Sequence, residues 1–290
     1  MNEIRNLILI PNTAKGIPRD AISALIARLT SLGGRVGVLP EHRDYLSFAG
    51  DALSFVWDGR SGTEGETAAL VLGGDGSIIE ASHRLLGQNV PILGINYGHV
   101  GFMTGIEIGE AELLNRLFTG AYVLEERMML DARVTDRDGA ERGSFTVLND
   151  IVLTNGPVAR LIAFDVFCDG VLIETCRADG MIFATPTGST AYSLSAGGPV
   201  LDPSIAAVCV TPICPHTLSS RPVIFRGNSV LHIEHIRSNN ASVWLNADGR
   251  EDLSIGTGDR IEIRRSVHKT RLIRVREGGF LDVLRAKLSE

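Results

Sequence analysis

At 290 residues, with 44% hydrophobic and 21% charged side chains, the chain has room for about two domains of ~150 residues and enough apolar surface for sizeable cores. That composition excludes a disordered or collagen-like polypeptide. Lys and Arg total 28 against 34 Asp and Glu, a net charge of −6, so nothing in the charge balance marks a nucleic-acid or anionic-membrane partner, and any anionic ligand must be held locally. Cys168, Cys176, Cys209 and Cys214 show neither a CxxC pair nor metal-ligand spacing. Free, mostly buried thiols are expected in place of a zinc site or disulfide framework. The opening MNEIRNLILIPN carries an acidic residue and too short an aliphatic run for a signal peptide, and no long apolar run follows. A soluble cytoplasmic protein is the expectation.

In chain order, Leu7–Ile10 reads as a buried strand. Pro18 suits the first turn of a helix in which Ile22, Leu25, Ile26 and Leu29 recur at three- and four-residue steps, ended by Gly33 and Gly34. Strands follow at Arg35–Leu39, Ala68–Leu72 and Pro91–Ile95, with a helical pattern through Leu86 and another from about Gly109 to Phe118. This alternation predicts a Rossmann-like parallel sheet with crossover helices. From about residue 122 the texture becomes β-branched and alternating, in segments such as Phe145–Leu153, Ile162–Phe167, Val230–Ile236, Ser242–Leu245 and Arg260–Arg264. Asp-Gly turns at 138–139, 169–170 and 248–249 make this half an antiparallel β domain. The tail, Phe280–Lys287, reads as a closing helix with Phe280, Leu281, Leu284 and Leu288 on one face.

Three segments carry chemistry. Gly73-Gly74-Asp75-Gly76-Ser77 sits between a strand and a helix, where glycine lets backbone N–H groups approach an anion at the positive end of the helix. Asp75 there either caps the helix, shares a metal ion, or accepts a proton from an attacking hydroxyl. Neither GxGxxG nor GxxxxGK[ST] occurs in the chain. A second glycine-spaced loop, Gly94 to Phe102, falls at the same end of the sheet; its His99 reads as structural. Asp179–Pro199 crowds Thr185, Thr187, Ser189, Thr190, Ser193 and Ser195 among glycines and prolines, as a lining of hydrogen-bonding groups would. Ser189 is not in a GxSxG elbow, which removes a serine hydrolase. Asn149-Asp150 ends an apolar run, where a β-turn explains it equally well. Arg177 and Asp179, two apart, share a strand face, as ligand contacts or as a surface ion pair. His216 reads as a backbone-positioning residue, and Phe102, Phe118, Met128 and Met129 as core.

GGDGS at 73–77, GINYGHVGFMT at 94–104, LND at 148–150, the 179–199 segment and PICPHTLSSRP at 212–222 resemble the NAD kinase family in order and spacing over roughly residues 70 to 290. The resemblance implies an α/β domain of residues 1–121 joined by a returning segment 268–290, a β domain of 122–267 carrying most of the NAD pocket, and an NAD site in the cleft between them. It implies phosphoryl transfer from ATP or polyphosphate, with Mg²⁺ or another divalent cation and no tightly bound protein metal, to the adenosine ribose 2′-hydroxyl, giving NADP. It also implies a homodimer or homotetramer. By position, Asp75 is the general base and Gly76 approaches the dinucleotide. Asn149 and Asp150 bind its ribose and adenine side, and Arg160, Arg177 and Asp179 are further contacts. Thr190, Ala191, Tyr192, Ser193, Leu194 and Ser195 line the adenine pocket. The chain departs from common patterns at Ser77, Gly105, Arg160 and Arg250. A lipid or sugar kinase of the wider superfamily and a non-catalytic NAD(P)-sensing module are the competing readings.

Overall fold

The computed structural model describes residues 3–59, 66–97, 101–156, 161–217, 219–238 and 242–288. Two compact units emerge, Met1–Glu126 with Thr270–Glu290, and Arg127–Lys269. The first contains β1 (Asn6–Pro11), α1 (Arg19–Ser31), β2 (Arg35–Val38), β3 (Phe55–Val56), β4 (Thr67–Leu72), α2 (Asp75–Arg84), β5 (Ile92–Asn96), β6 (Ile106–Glu107) and α3 (Asn115–Phe118). Its strands run parallel in the order β3, β2, β1, β4, β5, with β6 also on β5. Every residue of β4 is buried, as a parallel strand covered on both faces requires. The buried positions of α1 are Ile22, Leu25, Ile26 and Leu29, the four that the periodicity singles out. Pro18 stands one residue earlier than expected, at the N-cap. Gly33, at φ +82°, closes the helix in the left-handed conformation while Gly34 N–H returns to the Leu29 carbonyl. The helix expected from Gly109 to Phe118 is instead a 3₁₀ segment, Ile108–Leu114, kinked at Glu110, followed by the single turn α3.

The second unit is antiparallel throughout and holds β7 (Val123–Thr135, whose first residues belong to the first unit), β8 (Glu141–Val147), β9 (Asp150–Asn155), β10 (Ile162–Cys168), β11 (Val171–Ala178), β12 (Gly180–Ala184), α4 (Tyr192–Ser195), β13 (Ala207–Ile213), β14 (Val223–Arg226), β15 (Leu231–Ser238), β16 (Val243–Ala247), β17 (Glu251–Ile255) and β18 (Arg260–Arg274). One sheet runs β11, β10, β15, β18, with β7 on β18 and β8 on β7; the other runs β14, β13, β12, β9, β16, β17. Strands of both sheets bury alternate residues, Ile162, Phe164 and Val166 on β10 and Val243, Leu245 and Ala247 on β16, in one apolar cluster.

The chain changes sheet at two corners that carry candidate site residues. The single segment expected over Phe145–Leu153 is two strands: β8 stops at Val147 and β9 starts in the other sheet at Asp150. Alternation is blind to this, because inward and outward positions keep their period through the corner. Likewise β11 ends at Ala178 and β12 begins at Gly180, leaving Asp179 at the corner, so Arg177 and Asp179 do not share a strand face. Thr270–Arg274, the far end of β18, joins the first unit, where Leu272 pairs in parallel with Ile92 of β5. The closing helix α5 (Phe280–Leu288) sets the Phe280 ring 6.4 Å from that of Phe102. Its partly covered side is Phe280, Val283 and Leu284, whereas Leu281 is 70% exposed, because a residue one position on is turned about 100° around the axis. Cys168, Cys176 and Cys209 are buried, Cys214 is exposed, and all four thiols are free. No helix among the described residues is long and apolar enough to cross a membrane.

Gly180 makes the second corner possible: a Cβ there would lie 2.2 Å from the Leu153 carbonyl oxygen, a backbone atom that cannot step aside. Gly180→Ala is expected to destabilise the protein by about 1–3 kcal/mol, read as a lower denaturation midpoint in urea.

Candidate functional site

The residues marked by the sequence form two groups, one in each unit. In the first, Gly73 and Gly74 follow β4 and α2 begins at Asp75. Asp75 does not cap its helix; no side-chain cap bond forms at that end. Its carboxylate instead accepts the N–H of Phe102 on Oδ2 at 2.8 Å and that of Met103 on Oδ1 at 3.0 Å. The second glycine loop is shaped for this contact. A Cβ on Gly101 would fall 2.1 Å from Asp75 Oδ1, and Gly101 N–H donates to Thr104 Oγ1 at 2.8 Å. Each carboxylate oxygen still has a free lone pair with which to accept a further proton donor. Ser77 Oγ packs under Gly73 and accepts Asn12 Nδ2 at 2.8 Å. Lys15 brings its ammonium within 3.3 Å of where a Gly74 Cβ would stand, with no ion pair among the described residues. Gly76 is exposed, with open space above it. The group thus sets a fixed carboxylate, a cation and the N-terminal N–H groups of a helix around a glycine turn that opens to solvent at Gly76. His99 lies outside the described residues.

In the second unit the corner Leu148–Asp150 is held from both sides. Asp248, in the left-handed conformation at φ 52°, accepts Leu148 N–H on Oδ2 at 2.8 Å and the N–H groups of Asn149 and Asp150 on Oδ1 at 2.8 and 3.0 Å. Asp248 N–H donates back to the Asp150 carbonyl at 3.0 Å. Thr185 takes the other carbonyls: its Oγ1 donates to Leu148 O at 2.6 Å and its N–H to Asn149 O at 2.8 Å. Gly188 sits so close that a Cβ would strike Asn149 O at 2.1 Å. What remains free is the side chains. Asn149 Oδ1 is buried without a hydrogen-bond partner, an acceptor waiting for a donor. Asp150 is buried, and burial together with the neighbouring negative charge of Asp248 pushes its carboxyl up to about 7.

Other marked residues take different roles. Asp179 Oδ1 accepts Asn155 Nδ2 at 3.1 Å. Arg177 is exposed and forms no ion pair among the described residues; its carbonyl accepts His216 N–H at 2.8 Å. Arg160 lies outside the described residues. The hydroxyls of the 185–195 run turn mostly inward, against the expectation of a lining. Besides Thr185, Ser189 Oγ bridges Pro186 O at 2.6 Å and Leu201 N–H at 2.9 Å, Thr190 bonds Thr187 O at 3.2 Å, and Ser193 meets Thr211 Oγ1 at 2.9 Å inside the core. Short hydroxyl side chains are here staples for a tight loop that has no ladder of its own. Thr190 and Ala191 are half-buried, and Tyr192, Leu194 and Ser195 present outward-facing surface. Sequence reasoning overlooked Asn12, Lys15 and Thr104, and saw Asp248 only as part of an Asp-Gly turn. A cavity of about 460 Å³ near Arg116, Tyr122 and Arg274 involves none of the marked residues. Among the described residues no group of three or more His, Cys, Asp or Glu is placed to hold a metal.

The family profile of the ATP-NAD kinase N-terminal domain matches residues 60–122, and that of the ATP-NAD kinase C-terminal domain matches 148–275. The chain belongs to the NAD kinase family. It is 39% identical to the NAD kinase of Geobacter sulfurreducens over 268 residues, 92% of this chain and 86% of that one, and 46% identical to that of Symbiobacterium thermophilum over 221 residues, 76% and 77% of the two chains. Among solved structures, yeast NADH kinase complexed with NADH superposes with a TM-score of 0.83 at 26% identity, covering 98% of this chain and 86% of that one. An NAD kinase from Archaeoglobus fulgidus in complex with ATP shares the fold, with a TM-score of 0.68 at 22% identity over 98% of each chain.

Asp150 provides a test of the second group. Its folded-state value lies above the ordinary 3.8, so its contribution to stability is complete below that pH and is lost as pH rises through about 7. Asp150→Asn is expected to melt higher than the parent protein at pH 8, by roughly 2–6 °C, with the gap closing towards pH 4 in calorimetric scans.

Proposed function

We propose that this chain phosphorylates NAD, passing the γ-phosphoryl group of ATP to the 2′-hydroxyl of the adenosine ribose to give NADP and ADP. Membership of the NAD kinase family supports the reaction class. The observation that carries the residue assignment is the Asp75 carboxylate, held by two backbone N–H groups beside the exposed Gly76. Phosphoryl transfer asks the protein for positioning and charge neutralisation more than for covalent help. A ribose hydroxyl is a poor nucleophile at neutral pH. As its oxygen bonds to phosphorus and the ADP oxygen leaves, Asp75 accepts the hydroxyl proton, a role worth about 10²–10⁴-fold. The helix N-terminus of α2 and the Lys15 ammonium face the donor phosphates.

A Mg²⁺ would arrive on the donor and be held chiefly by its phosphates, because this ion keeps substrate phosphates and waters in its shell and Asp75 is kept for the proton. Such a cation would neutralise charge on the transferring group. The features around the loop read phosphate and not adenine, so inorganic polyphosphate stands beside ATP as a donor to assay. Asn149 and Asp150 bind the dinucleotide through the side chains left free at their corner. Arg160, Arg177, Asp179 and the 190–195 run are assigned to the same ligand from the family resemblance, which also supplies the homodimer or homotetramer; a cytoplasmic location is the expectation from the sequence reading.

Asp75→Asn is expected to keep NAD binding by calorimetry and to lose about 10²–10⁴-fold in kcat; unchanged turnover removes Asp75 from the mechanism. Gly101→Ala, which must push the Asp75 carboxylate aside, is expected to cost about 10²-fold in kcat with little change in melting temperature. A parental kcat in that variant means that the N–H anchors do not govern the base.

A further inference from the structure

Three consecutive N–H groups directed at one carboxylate are more than a turn needs. An Asp-Gly turn between β16 and β17 is complete with Gly249 N–H on Asn246 Oδ1 at 2.8 Å and Arg250 N–H on Ala247 O at 3.0 Å. The Asp248 carboxylate is the acceptor in neither of these bonds. It points away from its own hairpin to a segment about 100 residues earlier in the chain, and its backbone adopts the left-handed conformation that places it there. Together with Thr185 it satisfies every backbone N–H and C=O of Leu148, Asn149 and Asp150. The corner therefore has no backbone group left to trade with solvent or ligand, and its side chains emerge from a rigid frame.

We propose that Asp248 is a positioning residue for dinucleotide binding: its carboxylate locks the Leu148–Asp150 corner in the shape that presents the Asn149 and Asp150 side chains to the ligand. This rests on the assignment of that pair to NAD. Asp248 acts in two ways. It fixes the frame, so that the backbone beneath Asn149, whose buried Oδ1 lacks a partner, need not reorganise when a ligand binds. It also places a negative charge beside Asp150, which together with burial raises that carboxyl. The ladder neighbour of Asp150 on β12 is Ala184, and the β16 residue paired with the next position is Ala247, so Asp248 supplies the charge that bears on it. Aspartate is specifically suited to the position. Asparagine keeps one acceptor oxygen and sets an amide N–H₂ against a backbone N–H, and it removes the charge.

The test is Asp248→Asn in the full-length protein. The KM for NAD is expected to rise about 10- to 100-fold, the loss of charge-assisted hydrogen bonds at a binding frame, with the KM for ATP unchanged. The pH midpoint of NAD affinity should move down, because Asp150 ionises more easily once its charged neighbour is gone. A purely structural role would lower the melting temperature without producing either the NAD-against-ATP split or the pH displacement. Unaltered NAD affinity and midpoint in a folded Asp248→Asn protein overturn the proposal. Should that variant not fold, hydrogen exchange on the parent protein decides: slow exchange at the Leu148, Asn149 and Asp150 amides before NAD is added is expected, and exchange at the rate of free peptide overturns it. Asn149→Ala separates the role of Asp248 from the assignment of the pair. If it leaves the KM for NAD unchanged, the assignment of the pair fails, and the proposal falls with it. If it raises that KM while Asp248→Asn does not, only the role of Asp248 fails.

Discussion

A chain that leaves one sheet and enters another must satisfy, at the corner, backbone groups that neither ladder can reach. At Leu148–Asp150 that requirement is met by two residues from distant parts of the sequence, Asp248 from the β16–β17 hairpin and Thr185 from the loop after β12. Much of the second unit's site follows from this arrangement. Gly188 has to be glycine because the 185–190 loop packs onto the Asn149 carbonyl. The loop needs its hydroxyls because it is too tight for regular backbone bonding. With the backbone fully occupied, the Asn149 and Asp150 side chains remain available for chemistry.

The first unit solves a similar problem with the same chemistry. Asp75 stands at the positive end of α2, yet its carboxylate bonds the N–H groups of Phe102 and Met103, which lie 27 and 28 residues on. The missing Cβ of Gly101 and the Thr104 hydroxyl make room for the contact and back it up. In both units a carboxylate gathers the unpaired N–H groups of a loop and gives that loop one shape. The difference lies in what each acid has left to offer. Asp75 keeps a lone pair on each oxygen beside the exposed Gly76, whereas Asp248 spends its lone pairs on the frame.

Much of the architecture was legible in the residues. The four apolar positions of α1, the all-apolar β4, the glycine turn after it and the alternating strands of the second half each depend on local periodicity, and each took the form that the periodicity predicts. Local pattern failed where a choice between distant partners was involved. Phe145–Leu153 reads as one strand because its alternation does not record that the chain has changed sheets at residue 148. The Gly109–Phe118 helix dissolved into 3₁₀ turns at the kink of Glu110, and Leu281 turned outward because the covered stripe of α5 is narrower than its apolar composition suggests.

Taken alone, the sequence determined which residues could do chemistry: the aspartate among glycines, the Asn-Asp pair and the hydroxyl-rich run, because residue type sets what a side chain can donate, accept or ionise. Only the tertiary structure decided how those capacities were used. It turned most of the hydroxyls inward, tied Asp75 to a loop instead of to its own helix, left Asn149 Oδ1 without a partner, and brought Asp248 to a corner about 100 residues away. The physical reason is that hydrogen-bond partnership across such separations follows from which strands pair and which loops meet. No local window of sequence contains both members of such a pair.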